Sequence, residues 1–123
     1  MTKATYVDGF VLVVPKAKTA AYKKMATEGK AAWLKFGALD YKECVIDDAN
    51  PSKGKVNFDT MARPKAGEQV WFSYITFKNK THRNAVNKKV MAHFDKVYAG
   101  KEDMPMPMDP KRMAYAGFKV VVG

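Results

Sequence analysis

The chain has 123 residues, 47% of them hydrophobic, and 22 Lys and Arg against 12 Asp and Glu give a formal charge of +10. That length suits one domain, residues 1–123, with a real core and no room for a second. The single cysteine, Cys44, excludes an intramolecular disulfide, and no apolar run is long enough to span a membrane or to serve as a secretory signal, so a cytoplasmic protein without a membrane partner is expected.

Tyr6 to Val14 is dense in β-branched and aromatic residues and is closed by Pro15. One face of this strand carries Tyr6, Asp8, Phe10, Leu12 and Val14, and the other Val7, Gly9, Val11 and Val13. Both faces are apolar, which predicts a central strand covered on both sides. Thr19 to Phe36 then places Tyr22, Met25, Gly29, Ala32, Trp33 and Phe36 at three- and four-residue spacing, an amphipathic helix capped by Gly37. Leu39 to Asp47 reads as a charged edge strand, with Leu39, Tyr41, Glu43 and Val45 on one face.

The polar stretch from Asp48 to Gln69 is long for a turn, and predicts a functional flap or a hairpin extension, with Val56, Phe58 and Met61 able to anchor a short added strand. Val70 to Phe77 repeats the doubly apolar pattern of the first strand. A second helix runs from about Thr81 to Tyr98 on a stripe of Val86, Val90, Phe94 and Val97, and ends at Gly100. The prolines of Met104 to Pro110 predict an extended connection, and Arg112 to Val122 forms the last strand. The order β-α-β-β-α-β is ferredoxin-like, an α+β sandwich of a four-stranded antiparallel sheet with two helices on one face. The opposite face keeps more apolar side chains than a soluble monomer exposes, and a second copy packed on it would give a symmetric homodimer.

With these elements placed, Tyr6-Val-Asp-Gly-Phe10, Phe36-Gly-Ala-Leu39 with Glu43-Cys44, Asp47-Asp48 with Gly54-Lys55-Val56, Phe72-Ser73, the Arg83 to Asn87 segment, and Lys111-Arg112-Met113 with Gly117-Phe118 together resemble the YbaA-like family. These are small bacterial proteins of unknown function in the dimeric α/β barrel superfamily. The resemblance implies that fold and a homodimer, and no established reaction. Met108-Asp109-Pro110 stands where the family has Phe-Asp-Gly, and Ala116 where a second glycine is usual.

Asp8 is the one acid on the first strand's apolar face, and a 4-1-3-2 strand order makes Arg112 its expected neighbour. The pair reads as a salt bridge at the sheet end or as an anchor for a ligand carboxylate or carbonyl. Trp71, Tyr74 and Tyr115 complete the ligand-pocket candidates, although aromatic residues in central strands are core residues first. His82 and His93 sit on the order of 16 Å apart on one helix, too far to share a metal, and read as surface residues. Cys44 reads as a buried small hydrophobe, and Met104, Met106 and Met108 as loop packing over the sheet. No catalytic residue, cofactor or metal ligand is assigned.

Three functions follow as alternatives. The first is a homodimer whose sheet-helix cavity binds a small organic molecule, with a cofactor-independent oxygenase or isomerase suggested by fold analogy alone. The second is an RNA-associated basic protein, disfavoured because the basic residues are spread from Lys3 to Lys119 and no nucleic-acid-binding motif is present. The third is a structural or regulatory dimer without a pocket.

Overall fold

Tyr6–Pro15 forms strand β1 in the computed structural model, which describes residues 2–101 and 104–123. Helix α1 (Thr19–Lys35), strand β2 (Asp40–Val45), a short helix α2 (Phe58–Ala62), strand β3 (Glu68–Phe77), helix α3 (Lys80–Val97) and strand β4 (Ala114–Lys119) follow in order. The sheet order is β2-β3-β1-β4, with every neighbouring pair antiparallel. This is the ferredoxin-like α+β arrangement, with the doubly apolar strands β1 and β3 at the centre and β2 on an edge. The sheet is open, since β2 and β4 are both edges.

Register decides which side chains share a face. Leu12 lies opposite Trp71, Asp8 opposite Ile75 and Tyr6 opposite Phe77, while Tyr41 pairs with Ile75 and Glu43 with Ser73. All of these face α1 and α3. Ile75 and Phe77 pack there against Ala32, Val86 and Val90, and Leu12, Val14 and Trp71 against Tyr22, Ala26 and Met108. Burying side chains of this size contributes about 1.5–3 kcal/mol each. Met108 thus anchors the proline-rich connection, whereas Met104 and Met106 are exposed.

The helix termini follow local chemistry. Gly37 takes φ +116 just beyond α1, in the left-handed region that favours glycine. Asn79 caps α3 by accepting from the His82 backbone N–H at 2.8 Å. Both histidines are half-buried rather than on the surface. Nδ1 of His82 accepts from the Lys78 backbone N–H at 3.0 Å, and His93 packs edge-on against Phe36.

Two local expectations change, one in a loop and one in a strand. The stretch around Phe58 forms helix α2 instead of an added strand, because Asn57 and Thr60 make a reciprocal capping box at 3.0 Å in each direction. This helix sits on the sheet face opposite α1 and α3, where Phe58 meets Phe72 edge-on and Val13 and Val70 are buried. The rest of that face is less covered, with Phe72 and Phe118 exposed. Cys44 also lies there and is exposed, not buried, because it occupies the outer face of an edge strand. Among the described residues no helix is long and apolar enough to cross a membrane.

Candidate functional site

The five pocket residues expected from sequence do not converge. Tyr74 is on the α2 face of β3 and Trp71 on the α1 face, since they stand three positions apart in a strand. Arg112 is not the partner of Asp8. Antiparallel register sets Asp8 against Gly117 and Val11 against Ala114, so Arg112 falls before the paired segment, at the far end of β1. There it donates to Glu68 Oε2 at 2.7 Å and to the Arg63 carbonyl at 3.1 Å, tying the approach to β4 onto the start of β3 and the end of α2. The hydrogen bond to Arg112 is the main cause holding the Glu68 carboxyl below its usual range.

Asp8 and Tyr115 do meet, through a residue that was not among the expected pocket residues. Arg83 on α3 donates to Asp8 Oδ1 at 3.2 Å, to the Tyr115 hydroxyl at 2.6 Å and to the Tyr6 hydroxyl at 3.2 Å. The Tyr115 hydroxyl donates to Asp8 Oδ2 at 3.0 Å, and Asn87 Nδ2 reaches the same oxygen at 3.4 Å. Arg83 and Asn87 are one helical turn apart and so present to the same point. Asn87 Oδ1 in turn accepts from Trp33 Nε1 at 3.0 Å. Burial first, and then the Asp8 carboxylate, raise the Tyr115 hydroxyl above its usual pKa and keep it a donor. Asp8 is 1% exposed and both of its oxygens are bonded within the cluster, which makes it a brace, while the Nε of Arg83 is buried without a partner.

The open space lies elsewhere. A groove of about 490 Å³ runs between α1 and the edge strand β2, lined by Thr19, Lys23, Thr27 and Lys30 from the helix and by Tyr41, Glu43 and Trp71 from the sheet. Its volume falls in the range of small-molecule sites, roughly 300–1,000 Å³. The helix can lie close because Gly29 faces Tyr41, and a Cβ at that position would stand 3.1 Å from the tyrosine hydroxyl. A glycine inside a helix costs about 1 kcal/mol relative to alanine, a cost this close approach explains.

Glu43 is the chemical centre of the groove. Tyr22 donates to its Oε1 and Tyr41 to its Oε2, each at 2.7 Å. Burial first, then the charge of Glu43, push both hydroxyls well above their usual pKa of 10.0, so they stay protonated donors. A carboxylate offers about four lone-pair sites, and two hydroxyls leave acceptor capacity unused. Beside it Trp71, 5% exposed and edge-on to Tyr22 at 5.0 Å, has a buried indole N–H without a partner. Lys42, also on the rim, pairs with Asp40 at 2.8 Å.

Trp71, expected at a ligand pocket, lines this groove, whereas Glu43, Tyr22 and Tyr41 were not singled out from sequence. The available signal was an acid on the apolar face of the second strand, alternating with Tyr41 and Val45. On the other face of the sheet a recess of about 80 Å³ lies among Cys44, Val70, Phe58 and Phe72, and it offers only apolar surface. Among the described residues no three His, Cys, Asp or Glu side chains are grouped to hold a metal ion.

Comparison with known proteins places the chain in sequence space. It is 37% identical over 117 residues to the uncharacterized protein YbaA of Escherichia coli strain K12, covering 95% of this chain and 97% of that one. The uncharacterized protein YbaA of Shigella flexneri matches with the same identity and coverage. Among solved structures, a dimeric ferredoxin-like protein from an uncultured marine organism superposes with a TM-score of 0.52 over 97% of this chain and 98% of that chain, at 10% identity, which shows the shared fold. Residues 5–110 match the model of DUF1428, described as a protein of unknown function, and the chain belongs to that family.

Proposed function

We propose that this protein is a homodimer, built from one domain per chain, that binds a small organic molecule in the groove between α1 and β2. The observation that carries the reading is the unpartnered indole N–H of Trp71 beside a carboxylate already held by two tyrosines, in a groove of about 490 Å³. Interior polar groups are nearly always paired, and a buried donor left unpaired costs about 1–3 kcal/mol. A ligand that settles against Trp71 and brings an oxygen to the indole as the ring shifts recovers that cost.

The dimer rests on the face that α1 and α3 leave open. Phe72 and Phe118 there are 41% and 57% exposed, and Phe58 and Met61 of α2 extend the apolar surface. A second copy packed face to face, about 10 Å away, would cover it and leave the groove on the other side of each sheet free. The ferredoxin-like structural neighbour is itself described as dimeric.

Thermal denaturation with a library of small organic molecules tests the ligand reading, using Thr27→Trp to fill the groove from exposed helix positions. Compounds that raise the melting temperature of the wild type and leave the variant unmoved support it. A library that stabilises neither protein, or both equally, contradicts it.

A further inference from the structure

We infer that the ligand of the α1–β2 groove is an α-amino acid or a close analogue, its ammonium group held by Glu43, its carboxylate by Trp71 and the lysines of the rim, and its apolar side chain by the wall between them. This deepens the small-molecule reading above and rests on it.

The groove divides into three chemistries. Its sheet side carries the Glu43 carboxylate, whose two oxygens each accept one tyrosine hydroxyl at 2.7 Å. Both tyrosines spend their hydroxyl proton on Glu43, so the acceptor capacity left on the carboxylate is matched by an N–H group, and best by a charged one. Trp71 supplies the opposite function, a donor buried behind the groove wall that a ligand oxygen reaches once the indole shifts. On the helix side Lys23 and Lys30 stand seven residues apart, two turns along one face of α1, with Thr27 between them. That cationic rim favours an anionic group at the mouth. Ala26, Val45 and the rings of Tyr41 and Trp71 supply apolar surface.

A ligand that satisfies all three must carry a cationic or N–H donor, an anionic acceptor and an apolar body within one small molecule. Simple anions meet the lysines but leave Glu43 facing them as a like charge, which disfavours orthophosphate. Simple amines meet Glu43 but leave Trp71 unpaired and approach through the lysines. The zwitterion answers both objections at once.

Calorimetric titration of the wild-type protein with three matched probes tests this: L-phenylalanine, 3-phenylpropanoate, which lacks the ammonium group, and 2-phenylethylamine, which lacks the carboxylate. Phenylalanine is expected to bind at least about tenfold more tightly than either, the discrimination expected of a site built to pair a charged group. Glu43→Gln should erase the advantage of phenylalanine over 3-phenylpropanoate, and Lys23→Ala with Lys30→Ala, both on the exposed helix surface, should erase its advantage over 2-phenylethylamine. Because Glu43→Gln also touches two buried hydroxyls, the lysine pair supplies the arm that keeps its fold. If 3-phenylpropanoate binds as well as phenylalanine and Thr27→Trp blocks both, the amino-acid assignment falls while the groove remains a binding site. If none of the three binds, the assignment falls, and the groove reading is then judged by the library screen alone.

Discussion

Asp8 and Arg83, 75 residues apart in sequence, meet at 3.2 Å and fasten the central strand to α3. The pair is closed by Tyr115 from the edge strand, which stacks on Phe10 with ring centroids 4.7 Å apart. Three elements that share no local sequence are thereby held by one carboxylate. Replacing Asp8 with Ala leaves Arg83 largely buried without its counter-ion, and the expected loss is about 3–5 kcal/mol. Tyr115→Phe removes a single hydroxyl and should cost about 1 kcal/mol. Urea denaturation of the two variants measures both, and equal small losses would show that the pair does not brace the fold.

Gly117 reports on the same brace. A Cβ built there would clash with the Tyr6 hydroxyl and stand 2.9 Å from the ring, so the ring must shift, which disturbs its contact with Arg83. Gly117→Ala should destabilise by about 1–3 kcal/mol, read as a lowered melting temperature. Pairing that change with Tyr6→Ala should relieve most of the clash, and purely additive losses would contradict this account.

His82 makes stability depend on pH. Burial, then the charge of Lys78, with Lys89 adding to it, holds its imidazole below the usual 6.5, against a smaller opposing contribution from the Gly37 backbone. The unfolded chain therefore takes up a proton on this group more readily than the folded one. Its contribution is fully present above pH 6.5 and falls as pH drops through that value toward the folded one. Urea midpoints should decline on going from about pH 7.5 to 5.5, and less steeply in His82→Gln, whereas parallel slopes would remove His82 as the cause.

The uncovered sheet face gives a test of association. Phe118→Asp puts a charge at an exposed position of β4 beside Gly9, where Phe118 is the nearest side chain. Sedimentation should show the wild type at twice the mass of one chain and the variant at the mass of one, both folded by circular dichroism. A wild type that sediments as a single chain at micromolar concentration would overturn the dimer.

Element order, strand order and the two central strands were readable because Tyr6–Pro15 and Glu68–Phe77 carry apolar residues on both faces, a pattern that only an interior strand tolerates. The partner of Asp8 was not readable, because a strand order names neighbouring strands but not their register, and a shift of a few residues exchanges Arg112 for Gly117. Arg83 falls within the arc of Val86, Val90, Phe94 and Val97 on its helix, but nothing local says which carboxylate a cation there will meet. Glu43 was hidden in the same way, as a charge on an edge strand, where charges normally face water. Its role depends on Tyr22 arriving from a helix 21 residues earlier, which no local pattern announces.

The two tryptophans offer the most direct measurement of the groove itself. Trp33 Nε1 is held by Asn87 at 3.0 Å, and Trp71, whose side chain lines the groove, has its Nε1 buried without a partner. In isotope-labelled protein each indole N–H gives its own resonance, assigned by Trp33→Phe. On titration with pools of small amino acids, carboxylic acids and amides, the Trp71 resonance should shift and saturate with at least one pool while that of Trp33 stays in place. A Trp71 resonance unmoved by every pool, or one that moves only in step with Trp33, would contradict binding at this site.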